Sequence, residues 1–253
     1  MFDFSDSPAK EHRDFLWKIR DRFNFFIETE VFNCSHPDER NIGYFLEANC
    51  FNDYLIHNFK IHRESILENF RFVFVNDRRV TKLDDKIKWG PASFCWIEEP
   101  SIREKKSLVS IISSAKVMTS GHRKRLEYVD RYKDKADLFG VGFNQIEKKE
   151  IGLDDYMFSL AIENDEYSGY FTEKILDCFA TGTVPLYIGD PDIGSVFNPD
   201  GIIVIDESFD IDSLNEDMYY ERIDAIKDNF ERCKEFYSIQ DYIYETYLRE
   251  IDE

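Results

Sequence analysis

Short apolar runs and helical stripes alternate along this chain, and the alternation is plainest between Phe158 and Asp190. Phe158 to Ile162 is a mostly apolar run that reads as a buried strand, and a polar loop follows it. Thr172 then opens a segment with Ile175, Leu176, Phe179 and Ala180 at helical spacing and Glu173 in the first turn, the way a helix N-terminus is written. Gly182 stops that helix and Val184 to Ile188 supplies a second strand, so the whole predicts a βαβ unit with parallel strands. The same grammar appears upstream, where Ser107 to Ile112 is a buried strand and Ser113 to Ser120 a loop of small residues. Gly121 to Arg125 leads into a helix carrying Leu126, Val129 and Tyr132. Asp137 to Gly140 and Gly201 to Ile205 read as further strands, and Tyr219 to Leu248 as a long amphipathic closing helix.

The first hundred residues are less regular. Phe15, Leu16, Ile19, Phe23 and Phe26 recur at helical spacing and predict an amphipathic helix from roughly Lys10 to Phe26. His36 to Glu39 marks a loop, and Ile42 to Leu46 a strand ending at Glu47. Phe51 to Phe59 and Ile66 to Phe70 read as short elements, Phe72 to Val75 as a buried strand, and Ile87 to Glu98 as an irregular or β segment around Trp89 and Trp96. Pro100 followed by the charged Arg103–Lys106 is the best linker, which predicts two α/β domains, 1–105 and 106–253.

Charge narrows the partners. A net charge of −19 argues against nucleic acid or an anionic membrane as the main surface bound. Against that background the basic run His122-Arg123-Lys124-Arg125 at a helix start stands out, although no GxGxxG or GK[ST] phosphate loop accompanies it. Five cysteines, odd in number and without CxxC spacing, suggest a reduced compartment and neither a disulfide framework nor a zinc site. Asp84-Asp85 and Asp154-Asp155 lack the strand context of a metal-binding pair and read as surface or helix-capping residues. Asp77-Arg78-Arg79 reads as a charged turn. No apolar run approaches the roughly 18 residues of a membrane span, and Asp3 and Asp6 replace a basic leader, so a soluble, cytoplasmic protein without membrane anchor or signal peptide is expected.

The candidate chemistry sits in the loop between the paired strands. Asn164, Tyr170, Glu173 and Lys174 fall where a strand's carboxyl end meets a helix N-terminus, the place where ligands collect in open parallel sheets. A lysine in the first helical turn is unfavourable by a few tenths of a kcal/mol, and a bound anion would reverse that cost. Either a solvated Glu-Lys pair or a diphosphate site fits these residues alone. Glu163-Asn164, Tyr170-Phe-Thr-Glu-Lys174, Val184-Pro185, Gly189 and Phe197-Asn198-Pro199 together resemble the donor-binding signature of the α-1,3-fucosyltransferases, glycosyltransferase family 10.

That resemblance implies the GT-B architecture, two Rossmann-like halves facing across a cleft, and inverting transfer of fucose from GDP-fucose to a saccharide acceptor. It implies donor contacts from Asn164, Tyr170, Glu173 and Lys174, and from one arginine of the basic run. Helix alignment favours Arg123 for the diphosphate, with Arg125 the near competitor. It makes Glu47 the general base, although Glu47-Ala48-Asn49 is one residue longer than the family's Glu-Asn. No metal is required, and stimulation by a divalent ion stays open. A GT-B enzyme for another nucleotide sugar and a non-catalytic nucleotide- or saccharide-binding protein are the alternatives.

Overall fold

The computed structural model describes residues 22–252. By internal contacts these divide into one unit of residues 22–94, 167–170 and 235–252, and a second of 95–166 and 171–234.

The first unit holds a four-stranded parallel sheet in sequence order: β1 (Asn24–Ile27), β2 (Asn41–Phe45), β3 (Phe72–Val75) and β4 (Ile87–Trp89), with helix α1 (Asn49–Leu67) joining β2 to β3. All five positions of β2 are buried, as expected for a parallel strand covered on both faces. Its side chains divide with period two. Ile42 and Tyr44 join a cluster with Phe74, Ile239, Ile243 and Leu248, while Phe45 packs with Phe59, Phe70, Val73 and Val75.

The helix expected from Lys10 to Phe26 is corrected at its end. Residues 1–21 lie outside the described part, and Asn24–Ile27 is a strand registered against Asn41–Tyr44. Phe25 and Phe26 enter opposite clusters, so aromatic spacing that suits a helical stripe serves a period-two strand once a partner strand is present. The short elements expected between Phe51 and Phe70 form one 19-residue helix.

The second unit is a five-stranded parallel sheet. Its strands are β5 (Ser107–Ile112), β6 (Asp137–Phe139), β7 (Tyr156–Ile162), β8 (Val184–Ile188) and β9 (Ile203–Val204), in the order β6-β5-β7-β8-β9. Helix α2 (Ser120–Tyr132) follows β5 and α3 (Glu173–Ala180) follows β7; α4 (Glu216–Tyr220) and α5 (Ile223–Cys233) come after β9. The core joins Val109, Ile111, Phe158, Leu160, Val184 and Leu186 to Tyr128 and Val129 of α2. Gly182 ends α3 at φ +68°, a conformation that glycine adopts without steric cost. Pro185 sits in β8 where β9 does not reach, since β9 pairs only Leu186 and Tyr187, and a missing N–H costs least there. The strand expected over Gly201–Ile205 shortens to Ile203–Val204, because Gly201 closes a 3-10 turn over Pro199–Gly201 with Ile202 as its C-cap.

The stretch expected as a linker, Pro100–Lys106, is irregular but belongs to the second unit. Lys105 is buried and donates to the carbonyl oxygens of Leu153, Asp154 and Thr181 and to Thr183 Oγ1 at 2.8 to 3.2 Å. Burial lowers its pKa to about 8, with Asp154 working the other way. The single closing helix expected from Tyr219 to Leu248 is also corrected. It breaks at Glu221–Arg222 and again after Cys233, and Ser238 caps a new start at Ile239–Ile243 by accepting the N–H of Asp241 at 3.2 Å. Residues 235–252 group with the first sheet.

Candidate functional site

In the second unit the chain steps outward from β5 to β6 on one side and from β7 through β8 to β9 on the other. The carboxyl ends of β5 and β7 therefore flank the point where strand order reverses, the usual ligand position in such sheets. The N-termini of α2 and α3 both open at this end. Thr119 caps α2 by accepting the N–H of His122 at 3.2 Å. Gly121 lies so close to the end of β7 that a Cβ there would stand 2.2 Å from the Asn164 carbonyl oxygen. Gly121→Ala is accordingly expected to cost about 1–3 kcal/mol by forcing backbone to move, read as a lower unfolding midpoint.

Beyond β7 the side chains turn polar. Glu163 has no exposed side-chain surface; its Oε1 accepts the Thr172 N–H at 2.8 Å and its Oε2 the Thr172 hydroxyl at 2.6 Å. Thr172 is the N-cap of α3. Lys174 Nζ lies 2.9 Å from Thr172 Oγ1, 3.3 Å from Glu163 Oε2 and 3.4 Å from Glu173 Oε1. Burial works against its ammonium, but Glu163 and then Glu173 outweigh that and hold its pKa above the ordinary lysine value. Lys149, from the loop before β7, pairs with buried Asp177 at 2.6 Å, stands 3.9 Å from Glu173 and lies over the Trp96 ring.

Arg125 is buried on α2 and reaches Asn164 Oδ1 at 3.4 Å. Its charge and that of Lys174 add to burial in holding the His122 pKa below the ordinary histidine value. Arg123, two residues earlier and so on nearly the opposite helix face, is exposed on a stripe with Glu127 and Asp130. Lys124 pairs with Glu166 at 2.5 Å at the edge of a concavity of about 440 Å³, whose lining also includes Tyr128, Ile188, Ile205, Asp206 and Glu207. Among the described residues no group of three or more His, Cys, Asp or Glu is arranged to hold a metal ion.

In the first unit, Glu47 follows Leu46, the residue after β2, and precedes Ala48, the N-cap of α1, so it stands at the carboxyl rim of its own sheet with its side chain exposed. Its backbone is held on both sides. Glu28 Oε1 accepts the N–H groups of Leu46 and Glu47 at 2.6 and 2.9 Å, and Asn76 Nδ2 donates to their carbonyls at 2.7 and 3.1 Å. Glu28 holds φ +52°, sparsely populated backbone for a residue with a Cβ. Asp77 begins the charged turn expected here, its carbonyl accepting the Val80 N–H at 3.0 Å. It is fully buried, bound by Arg79 at 2.7 and 2.8 Å and by Asn49 Nδ2 at 3.2 Å. Burial pushes its pKa up, yet Arg79 and Asn49 leave it below the usual carboxylate range. Tyr170 belongs to this unit too, buried with its ring 5.0 Å from that of Tyr167 and clustered with Ala48.

Of the residues singled out in the sequence, Arg125, Asn164, Glu173 and Lys174 come together in the second unit, Arg123 faces solvent, and Glu47 and Tyr170 lie in the first. Glu163, Lys124, Lys149 and Glu28 had no role assigned. A carboxylate directly after an apolar strand was the signal for Glu163. For Glu28 that signal is hidden, because the aromatic spacing ahead of it predicts a helix where β1 forms.

Three likenesses to known proteins accompany this geometry. The family model of the C-terminal part of glycosyltransferase family 10 (fucosyltransferase) matches residues 102–247, more than half of the chain. The alpha-(1,3)-fucosyltransferase FucT of Helicobacter pylori is 34% identical over 80 residues, which take in 32% of this chain and 16% of that enzyme. A crystal structure of an α1,3-fucosyltransferase aligns with a TM-score of 0.50 at 17% identity, over 79% of this chain and 66% of that one. The chain thus spans just under two thirds of the solved structure and far less of the bacterial enzyme. The structural likeness carries the fold: two α/β units, each with a parallel sheet, of the GT-B class.

Proposed function

The chain belongs to glycosyltransferase family 10, the fucosyltransferases, and on that premise we propose that it transfers fucose from GDP-fucose to a saccharide hydroxyl with inversion at the anomeric carbon. The observation that carries this reading is the convergence of Arg125, Asn164, Glu173 and Lys174 at the carboxyl end of β7, beside two helix N-termini. A diphosphate leaving group gathers negative charge as the glycosidic bond breaks. An ammonium, a guanidinium and the positive dipole end of α3 are the groups that stabilise such charge. Arg125 takes the arginine role here in preference to Arg123, whose helix face turns to solvent. Glu173 and Asn164 are assigned to ribose and sugar hydroxyls, and Tyr170 keeps its donor assignment through the family pattern. The adjoining concavity carries more carboxylates than cations, so it suits hydroxyl-bearing, uncharged parts of the donor better than its phosphates.

Glu47 is assigned the acceptor side, where its carboxylate takes the proton of the attacking hydroxyl. The transition state has oxocarbenium character, so an anionic neighbour also favours it by charge. The protein's own cations supply the leaving-group stabilisation in this scheme, and whether a divalent ion adds to it is a measurable matter.

Calorimetric titration of the full chain with GDP, GDP-fucose, GDP-mannose, UDP and UDP-glucose, with and without magnesium, tests the reading. Selective binding of GDP compounds is expected, followed by turnover of GDP-fucose in an acceptor screen. Preference for UDP compounds would keep the fold and overturn the fucose assignment. Donor binding without turnover on any acceptor would favour a binding protein.

A further inference from the structure

We propose that Glu163 is a positioning residue for donor binding, a buried carboxylate that anchors the Lys174 ammonium at the start of α3 where the diphosphate is received. The inference rests on the reading of Lys174 given above and extends it to a residue that cannot itself touch the donor, because its side chain has no exposed surface. One carboxylate ties three things together: the end of β7, the cap of α3 through both the N–H and the hydroxyl of Thr172, and Lys174. An ammonium has three N–H groups, and Thr172 Oγ1, Glu163 Oε2 and Glu173 Oε1 lie around this one at 2.9, 3.3 and 3.4 Å. Glu173 is partly exposed and can turn toward a ligand. Glu163 is enclosed and bound by Thr172 on both oxygens, so it is the fixed member of the set.

The charged and titratable groups acting on Lys174 come from every neighbouring element: Glu163 from the end of β7, Glu173 from α3 itself, Arg125 and His122 from α2, and Lys149 from the loop before β7. Without the Glu163 charge, burial, Arg125 and Lys149 act against a single carboxylate. The ammonium would then lose its proton at lower pH. Its charge is present below that pKa and absent above it, so donor affinity should fall as pH rises.

The test is calorimetric GDP titration between about pH 6 and 9 on the full chain, comparing wild type with Glu163→Gln, Lys174→Met and the double variant. Glu163→Gln is expected to bind GDP about tenfold or more weakly near pH 9, and the deficit should shrink toward pH 6. On the Lys174→Met background it should add little, since the two substitutions remove the same interaction. Wild-type affinity and pH profile in Glu163→Gln would overturn the proposal. So would a loss equal at every pH that adds in full to Lys174→Met, which is what a purely structural role predicts. If Glu163→Gln does not fold, Glu163→Asp decides. Its carboxylate is one methylene shorter and draws back from Lys174, so affinity must fall, and fall further as pH rises; unchanged affinity overturns the proposal. Absence of GDP binding by the wild type would overturn the functional reading and this inference with it, whereas wild-type binding with an indifferent Glu163→Gln removes only the inference.

Discussion

Lys174→Ala is expected to weaken GDP binding by about a hundredfold. A hydrogen bond between charged partners contributes roughly 1.5–3 kcal/mol, and each 1.4 kcal/mol is a factor of ten in affinity. The same substitution leaves Glu163 enclosed without its cation, and breaking a buried ion pair on one side costs about 3–5 kcal/mol of stability. The two losses separate experimentally. Adding Glu163→Gln to Lys174→Ala should recover part of the unfolding midpoint while leaving GDP binding as weak as before. Wild-type GDP affinity in Lys174→Ala would remove the diphosphate from this place, and the Glu-Lys pair would revert to a partly solvated helix start.

Glu47→Gln is expected to lower turnover by about two to four orders of magnitude with GDP affinity unchanged, the range that a positioned general base contributes. Formation of fucosylated acceptor together with GDP from GDP-fucose and a working acceptor is the measurement, with GDP titration as the control for folding. If Glu47→Gln keeps full turnover, Glu28 is the carboxylate to examine next: it binds the Glu47 backbone directly and holds strained backbone at the same rim.

The second unit was far more legible in the sequence than the first. Ser107–Ile112 and Val184–Ile188 match their strands to the residue, Thr172 is the N-cap that its position implied, and Gly182 takes positive φ where the helix had to stop. These signals depend on side chains within a few residues of the backbone they shape. The aromatic first unit offered no such punctuation. Phe23 and Phe26 fit a helical stripe, and only the pairing of Asn24–Ile27 with Asn41–Tyr44 selects a strand there. The closing segment failed in the opposite way: apolar spacing ran past Ser238, whose hydroxyl starts a new helix.

The candidate site divides along the same line. Residue types and spacing along the chain marked the basic helix start, the Asn164 to Lys174 loop and the strand-end Glu47, because caps, breakers and apolar period are local properties. The preference for Arg125 over Arg123 that we propose is not local. It depends on which face of α2 meets Asn164, 39 residues away in sequence. Nor could spacing reveal that Glu163 is enclosed with Lys174, that Asp77 is buried beneath Arg79, or that residues 235–252 cover the first sheet. A side chain's charge, exposure and partners are set by distant segments packed around it, and only tertiary structure brings those segments together.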